Sequence, residues 1–169
     1  MTNTRKKIRK EILTRSHDRA GFDCGQNALN RFLQQQARQA NDRHLSRTTV
    51  LVEITRPTRI LAFYSTAPCE ISPAETLPGL TGYPHPIPFL RMARLATDLS
   101  VRGQGFGELA LVSAIEDAAR IHREATALYG LLVDAKEDGA AAFYRHFGFH
   151  QMDDNGLTLY LPIRDCLAL

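Results

Sequence analysis

Three glycines at alternate positions, Gly103, Gly105 and Gly107, follow the apolar run Ile87 to Thr97. They precede Leu111, Val112, Ile115, Ala118 and Ala119, whose spacing is that of one helix face. A strand, a glycine cluster and a helix start, in that order, make an anion cradle. Backbone amides free of neighbouring side chains approach a phosphate closely, and the helix N-terminus adds partial positive charge. Two other phosphate loops do not fit. A P-loop needs Gly-Lys-Ser or Gly-Lys-Thr, which is absent. A dinucleotide loop needs G-x-G-x-x-G in a first βαβ unit, whereas this spacing is one residue shorter and lies past mid-chain. A plain turn uses the same residues, so the cradle takes its meaning from its surroundings.

Other chemistries find little support. The histidines, His17, His44, His85, His122, His146 and His150, show no H-x-x-x-H pair or companion carboxylate spacing, so no metal is expected. Cys24, Cys69 and Cys166 are odd in number and far apart, which fits neither a disulfide framework nor a CxxC site; reduced, packing thiols are expected. His85, in a proline-rich stretch, reads as a solvent-exposed loop residue.

The elements that must position the cradle follow from periodicity. Ile8 and Ile12-Leu13, set among charges, read as an edge strand. Asp23 and Gln26 have the spacing of a capping box, which places a helix start there. The helix buries Leu29, Phe32, Leu33, Ala37 and Ala40 and turns Arg31 and Arg38 outward. Thr48 to Ile54 and Ile60 to Thr66 read as a hairpin around the spacer Thr55 to Arg59. Six of the eight prolines fall between Pro68 and Pro88, a density that predicts a long surface excursion without helix or central strand. Then follow a strand Ile87 to Thr97, a helix of roughly 20 residues after the glycines, a strand Ala127 to Val133 and a helix Asp138 to Phe147 closed by Gly148. Two last strands, Phe149 to Met152 and Leu157 to Leu161, flank the turn Asp153 to Gly156. The fold class is α/β (α+β): a mixed, mostly antiparallel sheet flanked by helices, in a single domain over residues 1–169.

Charge is unevenly spread. Through Arg47 there are 11 Lys and Arg against 4 Asp and Glu, and after it 10 against 14, although the net charge is only +3. Such asymmetry suits a polyanionic partner, and equally a solvated basic face. There is no apolar run near the ~18 residues that cross a bilayer and no secretory signal pattern at the start, so a cytoplasmic protein without a membrane partner is expected.

Arg94-Leu95-Ala96-Thr97-Asp98, then Arg102-Gly103-Gln104-Gly105-Phe106-Gly107, and later Ala142-Phe143-Tyr144-Arg145-His146-Phe147-Gly148-Phe149 resemble the two signature blocks of the GCN5-related N-acetyltransferases. Phe22-Asp23-Cys24-Gly25 with Ala28-Leu29, Ser46-Arg47-Thr48, and Pro86-Ile87-Pro88 before Arg94 resemble the acetyltransferase toxins of bacterial toxin–antitoxin modules. The resemblance covers about Phe22 to Leu161. Ala93 stands where this subgroup usually has glycine, and Glu137 where many relatives carry asparagine or aspartate.

The resemblance implies acetyl-CoA as co-substrate. The strand edge at Leu95, Ala96 and Thr97 would align the pantetheine arm. The amides of Arg102, Gly103, Gln104, Gly105, Phe106 and Gly107 would hold the pyrophosphate. Tyr144 would face the thioester sulfur as the catalytic residue. The acceptor implied is the amino group of aminoacyl-tRNA, with Lys6, Lys7, Arg9, Lys10, Arg38, Arg43, Arg47 and Arg94 as phosphate contacts; for Arg94 a structural salt bridge is the competing reading. A small DNA-binding antitoxin, expected to be of ribbon-helix-helix type, and a homodimer are implied as well. A protein N-terminus or small amine as acceptor, or a binding module without catalysis, are the alternatives.

Overall fold

The structure, a computed structural model, describes residues 7–72, 77, 79–80, 82–153 and 155–169. The chain divides into two compact units, Met1–Thr66 with Arg94–Val112, and Ala67–Ala93 with Ser113–Leu169. Lys6 lies outside the described residues.

The first unit holds β1 (Ile8–Ile12), α1 (Asn27–Arg31), a π turn (Phe32–Gln36), α2 (Ala37–Asp42) and β2 (Arg47–Glu53). The start of β3 (Arg56–Ile71), the end of β4 (Ile87–Thr97) and the first turns of α3 (Phe106–Glu124) complete it. β1 pairs antiparallel with β2, and β2 with β3. Leu29, Phe32, Leu33 and Ala37 bury the expected helix face in a cluster with Val50, Val52, Ile60, Phe63 and Ala96. The Phe63 ring lies 5.4 Å edge-on to Phe22 and 6.3 Å stacked on Phe32. Ala40, expected on that face, is only half-buried.

The second unit contains β5 (Gly130–Asp134), α4 (Asp138–His146), β6 (His150–Gln151), β7 (Thr158–Pro162) and α5 (Ile163–Leu167), with the remaining parts of β3, β4 and α3. β5 runs parallel to β4, from Phe89↔Gly130 to Met92↔Val133, and antiparallel to β7, which also pairs with β6. Its core joins Leu77, Ile87, Phe89, Leu132, Met152 and Tyr160. The strand order of the seven-stranded sheet is β1-β2-β3-β4-β5-β7-β6, the mixed, mostly antiparallel sheet expected.

Three expectations need correction, and one element was missed. The hairpin turn is tighter than the spacer Thr55 to Arg59, because Arg56 already pairs with Glu53. The capping box does not form. Gln26 precedes α1 without a side-chain cap bond, and Asp23 Oδ1 instead accepts from the Gly25 amide (2.8 Å) and Asn30 Nδ2 (2.9 Å).

Nor do the prolines all lie in an excursion. Pro68 is in β3 and Pro88 in β4. Pro68 lies beyond Thr66, the last β3 residue paired with β2, and Pro88 comes before Phe89, where the β5 ladder starts, so neither removes a bond from those ladders. Leu77, inside the proline-rich stretch, is fully buried in the second core, whereas residues 82–86 are exposed, as expected of a surface excursion. Finally, α5 was not anticipated: five residues, Ile163 to Leu167, are too few to show a helical period.

Candidate functional site

The cradle belongs to the first unit. Asp98 follows β4 and caps a 3₁₀ turn, Leu99–Val101, by accepting from the Ser100 amide (3.1 Å). Its other oxygen accepts from the Asp23 amide (2.9 Å), while the Leu99 amide donates to the Asp23 carbonyl (2.8 Å). Arg102 Nη2 donates to the Cys24 carbonyl (3.0 Å), so the Phe22 to Gly25 loop is tied to the cradle through both Asp23 and Cys24. Ser100 also donates its hydroxyl to Asp98 and accepts from Arg59 Nη2 (2.5 Å). Burial pushes the Asp98 carboxyl up, but bonds from the Asp23 amide and Ser100 outweigh it and hold the group below its ordinary range.

Beyond that anchor the backbone turns through Gly103 (φ +78°) and Gly105 (φ +87°), conformations that L side chains rarely adopt. A Cβ at either would meet nothing within 4 Å, so the space beside both is open. The Arg102 and Gln104 amides are occupied within the turn, donating to the Leu99 and Val101 carbonyls (3.3 Å each). The first α3 amide with a backward partner is that of Leu109, to the Gly105 carbonyl (3.0 Å). The amides of Phe106, Gly107 and Glu108 are therefore the open donors of the helix start. A Cβ on Gly107 would lie 3.4 Å from Thr97 Oγ1, a close approach of α3 to the end of β4. Leu95, Ala96 and Thr97 lie past Met92, the last residue of β4 in register with β5.

Tyr144 lies in the second unit, on α4, and is 7% exposed. Phe143 and Phe149 flank its ring at 5.4 and 5.5 Å. Burial first, and the negative charge of Asp134 second, push its phenol up to about 12. Asp134 is held by Arg91 (Nε to Oδ2, 2.7 Å) and Thr158. At neutral pH the Tyr144 group is thus a fully protonated donor.

All the described basic candidates, Lys7, Arg9, Lys10, Arg38, Arg43, Arg47 and Arg94, fall in the unit that carries the cradle. Arg9 is partly neutralised by Glu11 (2.8 Å). Arg38 is half-buried, its Nε without a partner among the described residues. Arg43 and Arg47 are exposed. No group of three or more His, Cys, Asp or Glu able to hold a metal occurs among the described residues, and no described helix is long and apolar enough to cross a membrane.

Sequence reasoning missed the role of Asp98. Its only sequence signal was an Asp-x-Ser cap pattern, and the partner that matters, Asp23, is 75 positions away.

No family model matches the chain. It is 31% identical over 154 residues to a tRNA-acetylating toxin of Mycobacterium tuberculosis, covering 90% of each chain. Among solved structures it resembles a tyrosine-to-phenylalanine mutant of KacT with a TM-score of 0.86 at 30% identity, covering 95% of this chain and 97% of that one. AtaT complexed with acetyl-methionyl-tRNAfMet superposes with a TM-score of 0.84 at 28% identity, covering 94% of this chain and 96% of AtaT. A mutant of AtaT is also known bound to acetyl-CoA and the C-terminus of its antitoxin AtaR, with a TM-score of 0.81 at 26% identity, covering 95% and 96%. With nine-tenths of both sequences aligned and the strand, glycine cradle and helix in place, the chain belongs to the tRNA-acetylating toxins, a family of GCN5-related N-acetyltransferases.

Proposed function

We propose that the chain transfers the acetyl group of acetyl-CoA to the free amino group of aminoacyl-tRNA. The Gly103, Gly105, Phe106 and Gly107 amides would hold the pyrophosphate, the Leu95 to Thr97 edge would carry the pantetheine arm, and Tyr144 would stand at the sulfur. The observation that carries the assignment is the helix start itself: donor amides without backbone partners, beside two left-handed glycines with open space around them. Arg102 serves this site by fastening the Cys24 carbonyl, and its amide and that of Gln104 close the turn.

Both reactants are held at once, and orientation alone supplies about 7–11 kcal/mol of the barrier. The acceptor is an α-amino group, ordinarily near pKa ~8 and lower once its carboxyl is esterified, so much of it is neutral without a protein base. The amine attacks the thioester carbonyl, the C–N bond forms, the surplus amine proton passes to solvent, and collapse of the tetrahedral species breaks the C–S bond. An amide of the Leu95 to Thr97 edge polarises the carbonyl. Tyr144 donates to the departing sulfur. A phenol raised to about 12 is a weaker acid than a thiol near ~8.5, so it stabilises the thiolate by a hydrogen bond rather than by full proton transfer.

An acetylated amino group cannot attack in peptide-bond formation, so the product arrests translation. A cognate antitoxin of ribbon-helix-helix type would neutralise the protein, which acts as a homodimeric, single-domain enzyme in the cytoplasm.

The assay is purified protein with labelled acetyl-CoA and total charged tRNA, with deacylated tRNA as control. Label in RNA that requires charging is the expected result; acetyl-CoA binding with no RNA labelled under any condition would overturn the reading. Gly105→Ala tests the cradle. The side chain strains a left-handed position by about 1–2 kcal/mol and intrudes on the anion's approach. The Kd for acetyl-CoA, measured by calorimetry, should rise about tenfold or more, and an unchanged Kd would remove Gly105 from the site.

A further inference from the structure

Arg94 was read from the sequence either as a phosphate contact or as half of a salt bridge, and the second reading finds no partner. The guanidinium carbon sits 3.7 Å above the centre of the Phe32 ring. Among the described residues no carboxylate pairs with it, and desolvation is the one influence on its protonation, lowering its affinity for the proton. Half-buried cations are ordinarily paired, because removing one from water without compensation costs several kcal/mol. Stacking on a ring returns only part of that cost, and it leaves the in-plane N–H donors unused.

The backbone sets this arrangement. Arg94 and Ala96 alternate on the same face of β4, and Ala96 packs in the cluster that contains Phe32. Phe32 opens the π turn, a distortion that recurs at functional sites.

We infer that Phe32 and Arg94 form a preset phosphate clamp, in which the ring fixes the guanidinium plane so that its free edge takes a phosphate of the acceptor's 3′ terminus. This rests on the acetyl-transfer reading above and adds how the enzyme selects an RNA-borne amine. Arg94 neighbours the Leu95 to Thr97 edge, and the terminal phosphate of a charged tRNA is one nucleoside away from the reacting amine. A planar, forked donor suits that oxygen pair, and a fixed plane loses less freedom on binding. Phe32 is then a positioning residue and Arg94 the contact.

The test compares charged tRNA with the matching aminoacyl-adenosine, which offers the same amine and no phosphate. The ratio of kcat/KM for charged tRNA to that for aminoacyl-adenosine should fall about 30-fold in Arg94→Ala, consistent with ~1.5–3 kcal/mol for a bond to a charged group. It should fall less, about fivefold, in Phe32→Leu. Arg94→Lys, which keeps the charge but not the fork, should fall between wild type and alanine. The slope of log K for tRNA binding against log salt should flatten by about 1 in Arg94→Ala, which a purely structural role would not produce. An unchanged ratio and slope, or equal losses on both acceptors, overturn the clamp alone. Wild-type protein that acetylates neither acceptor overturns the transfer reading, and the clamp with it.

Discussion

Tyr144→Phe should lower kcat for acetyl transfer by about 100-fold and leave the Kd for acetyl-CoA within twofold of wild type. Stabilising a departing thiolate is an interaction made only as the C–S bond breaks, so its loss appears in kcat rather than in binding. The factor is the lower end of what a positioned donor contributes, as expected of a phenol that donates a hydrogen bond without surrendering its proton. Ring packing against Phe143 and Phe149 survives the change, so thermal stability should move by less than about 1 kcal/mol. The pH profile gives a second readout. Because burial and Asp134 raise the phenol to about 12, Tyr144 stays protonated through the whole working range. The rate should rise as the acceptor amine deprotonates and then stay flat to about pH 9. A descending limb below pH 9, or a phenylalanine variant with full kcat, would take the donor role from Tyr144.

Asp98→Ala should be the most destabilising single change near the cradle, by about 3 kcal/mol. The carboxylate is buried and accepts from the Asp23 amide and from both the amide and hydroxyl of Ser100. Hydrogen bonds to a charged group are worth about 1.5–3 kcal/mol each and do not simply add. The variant leaves the Asp23 amide without an acceptor and removes one of the three bonds that tie the Phe22 to Gly25 loop to the cradle. Denaturant unfolding would measure the loss, and a stability within 0.5 kcal/mol of wild type would refute the anchoring role. Acidity supplies an independent check. A carboxyl whose folded pKa lies below its unfolded value contributes stability that is complete above about pH 4 and disappears as the pH falls through the folded value. The wild type should therefore lose more stability between pH 5 and pH 2 than Asp98→Ala does.

Elements with a sustained period were legible in the sequence. The β4 limits Ile87 and Thr97 coincide with the expected ones, α3 begins within the glycine cluster, at Phe106, and α4 starts at Asp138 as read. What escaped depends on partners far away in the chain. Whether Asp23 caps a helix or closes a turn is decided by Asn30, which reaches back to bind both Asp23 and the Cys24 amide. Whether a proline can sit in a strand depends on where the neighbouring strand stops, as at Pro68. The glycine cradle was readable as glycines, but not the fact that two of its amides are already spent on the turn. Arg94 could be named, yet its stacking on Phe32, 62 positions earlier, has no local signal.

The cysteines carry a consequence for the order of events in catalysis. Cys24 and Cys166 are buried, Cys69 is half-buried, and burial raises the Cys166 thiol to about 11 and the Cys69 thiol above its usual value. At neutral pH neither Cys69 nor Cys166 offers a thiolate to capture an acyl group. Cys69 and Cys166 thus provide no covalent way-station, and Cys24 is buried with its thiol turned to the Gln26 carbonyl, so the kinetics should follow a ternary-complex pattern rather than an alternating one. A cell whose tRNA is uncharged would leave such an enzyme loaded and idle, its acetyl donor intact, so the supply of charged tRNA rather than of the donor would set the pace of poisoning.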